Sequence, residues 1–340
     1  MTFCFWDTGW QRTFCPMKRS RLLLLLWLSL LLWPRQPQAW GFFGHRLLNR
    51  LAVYTLPVEM LPFYKANIEY LTVNATRPDS RRTVVPGEAP RHFLDVDVYG
   101  DSALTTHGRG LPRRYADAVA RYGEDSLLRH GIVPYQVLLM KGQLTAAFRE
   151  KDADKILRIS ADLGHYVADA CVPLHATHNY NGQLTGQRGI HGLWESRLPE
   201  LLSADYDFFT GPAPYLERPS DVIWGTVARS YAAVDSVLRF EKELTRNFAE
   251  DRKYGYEQRG NQTIRTYSRE FSRAYHARLN GQVERQLRLA SRLIGAFWYS
   301  AWVDAGQPDM SALSRTPVPV DKPEPVVAAP AGVSIPGHEE

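Results

Sequence analysis

Five side chains able to ligate a metal ion fall within one 31-residue window: His165, Asp169, His175, His191 and Glu195. The window reads HYVADACVPLH, a gap of fifteen residues, then HGLWE. His165/Asp169 and His191/Glu195 are each four residues apart, a spacing that on a helix sets an imidazole and a carboxylate on one face, within reach of one ion. Imidazole nitrogen and carboxylate oxygen are the donors of hydrolytic zinc centres. A lone helix histidine is more often a core or surface residue, but two such spacings in so short a window reverse that expectation. His178 lies close enough to be a supporting group or a decoy, whereas His107, His130, His276 and His338 have no comparable neighbours in sequence.

Two further segments carry ligand-type residues. Residues 1–39 read as a targeting segment: Lys18, Arg19 and Arg21 precede an apolar run from Leu22 to Trp33, and Pro37-Gln38-Ala39 offers a cleavage site. The run is shorter than the roughly 18 to 20 residues of a membrane span, so the expectation is secretion or periplasmic export without an anchor. Met17 directly precedes the basic residues, which leaves 1–16 as a possible gene-model extension. Cleavage after Ala39 makes Trp40 the mature N-terminus, and its free α-amine and carbonyl oxygen could chelate zinc with His45, five residues on. The second segment, DSRRTVVPGEAPRH, brings Asp79 and His92, with Asp95 and Asp97 as competing choices for the loop carboxylate.

The elements that must position these groups read as helices. Ile156, Ile159, Leu163 and Val167 recur at helical spacing around His165, with Asp152 as the cap. Trp224, Val227, Tyr231, Val234 and Leu238 form a second stripe after Ser220-Asp221, and Leu279, Val283, Leu287, Ala290, Ile294 and Ala301 a third. Strand signals are scarce, and the segments 76–90 and 101–113 read as irregular loops, so a single all-α, multi-helix domain is expected over 40–310. Residues 311–340 read as a Pro-rich, disordered tail. Losing the leader removes five bases and one acid, which takes the formal net charge from +5 to +1 and removes the basic footprint of a nucleic-acid binder. Cys4 and Cys15 leave with it, so Cys171 has no intrachain disulfide partner and is expected to pack as a small buried hydrophobe.

The N-terminal Trp after cleavage, the His five residues later, the Asp to HFLD segment, HYVADACVPLH and HGLWE together resemble the three-zinc family of bacterial phospholipase C and the fungal-type single-strand-specific nucleases. The motifs cover Trp40 to about Glu200. The resemblance implies the fold of that family, with about three zinc ions. Asp79, His92, His165 and Asp169 would hold one, His175, His191 and Glu195 a second, and Trp40 and His45 a third, with Asp169 bridging. Asp79 and Asp169 are also the candidate catalytic carboxylates.

Dications in a cleft suit an anionic phosphodiester without a basic surface, and lower the pKa of water toward 7, which gives a hydroxide nucleophile at neutral pH. The expected activity is phospholipase C-like hydrolysis of a phosphodiester by a zinc-bound hydroxide, with a phospholipid headgroup as substrate. Glu195 as the last ligand and the absence of a Gly-Gly-Asn run before His191 favour it; Phe43, where the choline-preferring enzymes carry an acid, weakens choline selectivity. A single-strand-specific endonuclease or nucleotidase is the alternative, for which Phe93 could stack a base. Asn181 is the other candidate substrate contact. A non-enzymatic exported zinc-binding protein is the reading from a different class.

Overall fold

Residues Ala153–Asp169 form the helix on which the fold is centred, and they do so for the reasons their sequence gives. The Asp152 carboxylate accepts the Lys155 backbone N–H at 3.0 Å, a side-chain N-cap. Ile156, Leu163 and Val167 are buried as their spacing requires, and so are Leu157, Ala161, Gly164 and His165, because other helices pack around this one on several sides.

The computed structural model describes residues 41–100, 102–104, 110–259, 262–311 and 313, all within one unit, Gln38–Glu340. Along the chain these residues build α1 (Gly41–Val53), α2 (Ile68–Asn74), α3 (Arg77–Arg81), α4 (Glu124–His130), α5 (Val133–Glu150), α6 (Ala153–Asp169), α7 (Pro219–Arg246), α8 (Arg269–Leu279) and α9 (Gln282–Asp304), with further helices at Leu61–Ala66, Tyr115–Tyr122 and Leu198–Leu202 and short helical turns between. Helices α1, α2, α5 and α9 all pack against α6. Among the described residues no helix is long and apolar enough to cross a membrane. The leader and the residues from 314 onward lie outside the described set. Met310 and Leu313 are 5 % and 7 % exposed and join the core, so packed structure continues past the expected limit at 310.

The helical expectation holds with three corrections. Segment 76–90 is not all loop: Pro78 opens α3, which carries Asp79 in its first turn. The stripe from Leu279 to Ala301 is broken at Asn280 (φ 48°) and Gly281 (φ 73°), two left-handed residues that end α8 before α9 begins. A two-stranded antiparallel hairpin, β1 (Tyr254–Arg259) and β2 (Gln262–Tyr267), was not foreseen; it registers Tyr254 opposite Tyr267. The hairpin braces the segment that bears Glu195. Arg197 donates to the Tyr267 carbonyl at 3.1 Å and makes a bidentate pair with Glu257 at 2.7 and 2.5 Å.

Close approach of α1 to α6 depends on Gly164. A Cβ there would lie 2.0 Å from Asn49 Oδ1, and Asn49 donates its amide to the carbonyls of Leu71 (3.3 Å) and Ala161 (3.1 Å). That contact sets His45 on α1 against His165 on α6, with ring centroids 3.8 Å apart. Gly164→Ala is therefore expected to destabilise the fold by about 1–3 kcal/mol through overpacking and to weaken metal retention in the same protein. Urea unfolding with metal analysis of the folded variant checks this, and an unchanged midpoint would remove Gly164 from the account.

Candidate metal centre

Asp169, the last residue of α6, is fully buried and presents its two oxygens to different histidines. Oδ2 lies 3.0 Å from His92 Nδ1 and 3.2 Å from His165 Nε2. Oδ1 lies 3.5 Å from His45 Nε2 and 3.4 Å from His175 Nδ1. Asp79 joins the first side, 3.7 Å from His92 Nδ1 and 3.6 Å from His165 Nε2. The loop carboxylate left open between Asp79, Asp95 and Asp97 is thus Asp79 by position.

Beyond α6 the chain turns through Ala170-Cys171-Val172 into a 3-10 turn, Pro173–Ala176, which packs under α7 and holds His175. His175 Nε2 lies 3.1 Å from His191 Nε2 and 3.5 Å from Glu195 Oε2, and His191 lies 2.9 Å from that same oxygen. His191 and Glu195 keep the four-residue spacing across a helix that widens into a π-turn at Leu193–Arg197, a form often found at functional sites. Three buried groups able to hold a metal ion result: Asp79, His92 and His165; His45, His165 and Asp169; and His175, His191 and Glu195.

The donors fit a divalent ion. In ordinary hydrogen bonding, the oxygens of Asp79 and Oδ1 of Asp169 would each face a donor, yet all three are buried with no hydrogen-bond partner. His165 Nδ1 sits 2.8 Å from the Ala75 carbonyl, which can only accept, so Nδ1 keeps its hydrogen and Nε2 is the nitrogen that offers a lone pair once the ring is neutral. Nε2 faces His92 Nδ1 at 3.0 Å. Metal–ligand bonds of 2.0–2.1 Å in a tetrahedron put ligand atoms roughly 3.3 Å apart, and the separations given above, 2.9–3.7 Å, bracket that edge. Arg82, 3.9 Å from Asp79, meets part of the charge of three buried carboxylates, Asp79, Asp169 and Glu195, each of which costs several kcal/mol where it is left uncompensated.

Protonation compensates in part. Burial works against a charged His165, but Asp169 and Asp79 outweigh it and push its pKa up to about 9. Burial, helped by the charges of His165 and Arg82 and opposed by Asp169, holds His92 and His45 well below the ordinary imidazole range. Burial raises Asp79 to about 6 and would raise Asp169 too, but His165 and His175 hold Asp169 well below the usual carboxylate range.

Sequence reasoning missed the layer behind His92. Glu88, 1 % exposed, has Oε1 3.8 Å from His92 Nε2, accepts the Tyr166 hydroxyl, and pairs with Arg91 at 2.9 Å and Arg81 at 3.4 Å. Arg81 also reaches Asp162 at 2.9 Å. Carboxylates behind ligating histidines fix ring orientation and raise basicity. The available signal was the spacing Glu88/His92, again four apart.

The other predicted residues divide. Trp40 lies outside the described residues; Gly41, next to it, sits where a Cβ would be 3.0 Å from Ser196 Oγ, beside Glu195. Phe93 is 1 % exposed, so its ring is core and offers no platform for a base. The Asn181 side-chain oxygen accepts the Gly189 N–H at 2.8 Å, which shapes the loop leading to His191. Cys171 is fully buried with its thiol directed at the Val167 carbonyl (3.4 Å), and burial pushes its pKa up to about 12, so it packs as expected. His130, given no partners by the sequence, and His178, expected as a supporting group or a decoy, both face Asp95. Asp97 accepts from Thr177 Oγ1 and from the His178 backbone. No protein-family model matches the chain, and no curated protein matches it.

Replacing Glu88 by Gln keeps its shape and removes the charge behind His92; metal affinity, read by chelator competition, should fall about 10- to 100-fold. An unchanged affinity would make Glu88 a packing residue only. Metal binding must also displace the His165 proton, so apparent affinity should rise with pH from 7 to about 9 and level off above it, with a steeper slope below about 6 where Asp79 is protonated. In the ion-free protein the raised pKa of His165 gives stability that is full below the ordinary imidazole pKa and lost as pH passes about 9. Calorimetry in buffers of different ionisation enthalpy counts the released protons; none released at pH 7 would contradict the assignment.

Proposed function

We propose that this chain is an exported, zinc-dependent hydrolase of phosphodiester bonds, phospholipase C-like, with the fold type of the three-zinc phospholipase C and nuclease family. The observation that carries the reading is the shared carboxylate: Asp169 gives one oxygen to His92 and His165 and the other to His45 and His175. Asp79, His92, His165 and Asp169 hold one zinc, His175, His191 and Glu195 a second, and His45 with the terminal amine of Trp40 a third. Zinc supplies positive charge for an anionic diester and a lowered pKa for water.

The chain's own residues do the positioning. The Ala75 carbonyl fixes the His165 tautomer, Glu88 and Tyr166 back His92, and the Arg197–Glu257 pair holds the helix that bears Glu195. The ligand side chains are themselves almost wholly buried, which limits contact with bulk water and raises the strength of every charge interaction there. A lipid substrate is supported by the loop before His191. Its Tyr180 ring meets the His191 ring edge-on at 6.1 Å, and its Leu184 stands 67 % exposed. The burial of Phe93 removes one support for the nuclease reading.

Protein with a free Trp40 is expected to hydrolyse bis-p-nitrophenyl phosphate and phosphatidylcholine in preference to single-stranded DNA. The same protein with a residue added before Trp40 should lose zinc and most activity. Faster cleavage of DNA than of lipid would transfer the proposal to the nuclease, and no hydrolysis at full zinc content would leave a zinc-binding protein without catalysis.

A further inference from the structure

We propose a second, separate metal site at Asp95, His130 and His178, which takes a divalent transition ion of the zinc and cobalt class. Both imidazoles direct Nδ1 at the same carboxylate oxygen, Asp95 Oδ2, each at 3.3 Å. In the ion-free protein that separation is a long hydrogen bond from each ring, beyond the 2.7–2.9 Å of a charge-assisted N–H···O pair. It equals the roughly 3.3 Å edge of a tetrahedron with bonds of 2.0–2.1 Å. The Asp95 carboxylate is 1 % exposed, so an ion there also relieves a buried charge.

The three ligands come from separate segments that backbone hydrogen bonds already hold in register. Asp95 N–H donates to the His130 carbonyl at 2.8 Å, Val133 N–H to Phe93 at 3.1 Å and Leu94 N–H to His175 at 2.9 Å. Gly131, φ 88°, lets α4 end against the Phe93 carbonyl: a Cβ there would lie 2.1 Å from that oxygen. On the third segment, Asp97 accepts the His178 backbone N–H at 3.0 Å and the Thr177 hydroxyl at 2.7 Å, so its oxygens support the loop rather than the ion. Little rearrangement is needed to assemble the donors, which is the condition for useful affinity in a small site.

The site differs from the buried centre in access. The His178 side chain is 53 % exposed and that of His130 18 %, against 4 % or less for the histidines of the main centre. Three protein ligands with an open side leave room for water or an exogenous donor, and the ion exchanges more readily than those in the core. Asp95 and His178 each follow a main-centre histidine by three residues, His92 and His175. An ion there therefore pins the two segments that deliver those ligands.

The test counts bound metal in wild type, His130→Gln and His178→Gln by equilibrium dialysis against a fixed free Co²⁺ concentration, and does not depend on any hydrolytic activity. Each variant should hold one ion per chain fewer than wild type, with the remaining ions and the cooperative thermal transition retained. His178→Gln, at a half-exposed position, keeps the test open if His130→Gln does not fold. An equal count in folded variants, or the loss of more than one ion, would overturn the proposal. A failed phosphodiesterase assay with a count that still falls by one would leave this site standing and sink only the hydrolase reading.

Discussion

Everything in the centre depends on one buried carboxylate. Asp169 sits in the protein interior with four imidazoles around it, and an ionised group in that position is tolerable only where opposite charge compensates its lost hydration. His165, with its pKa pushed up to about 9, supplies one such charge. Arg82 lies 3.9 Å from Asp79 and supplies another, yet both Asp79 oxygens are left without a hydrogen-bond donor. A site that gathers this many buried carboxylates and imidazoles offers nitrogen and oxygen donors that could hold divalent ions.

The scaffold answers to that constraint. Helix α6 is surrounded by α1, α2, α5 and α9, which fixes His165 and Asp169 in a rigid element rather than a mobile loop. Its own polar atoms are answered from neighbours: the Trp298 indole donates to the Ser160 carbonyl at 3.0 Å, and Tyr64 meets Ser160 Oγ at 2.9 Å. Ligands from less regular segments are tied to it by single contacts. Ala75 reaches His165, Leu94 reaches the carbonyl of His175, and Arg197 anchors the π-turn to the hairpin. The π-turn itself keeps His191 and Glu195 on one side although the helix there is not regular.

The layer of Glu88, Arg81, Asp162 and Tyr166 extends the same logic outward. Each buried charge meets an opposite one, so the ring of His92 is oriented by an arrangement that is itself satisfied. On the other side of His92 and His175, Asp95 gathers His130 and His178. The two short segments thus carry ligand-type side chains toward two different groups.

Sequence alone determined the helical character, the α6 cap and stripe, and the two four-residue pairs, because these are local: helix periodicity turns spacing directly into a shared face. It also picked out His45, His92 and His175 for the set, and the structure brings them together. What it did not determine depends on pairings distant in the chain. Whether Asp79 or Asp95 faces His92 was settled by α3, a five-residue helix too short to leave a periodic signal. Phe93 reads equally as a stacking platform or a core ring until Gly131 and the core close over it, and His130 reads as isolated until α4 ends beside Asp95. The hairpin brace and the role of Glu88 were hidden for the same reason: a charge's partner is chosen by where the chain returns in space, which local pattern does not encode.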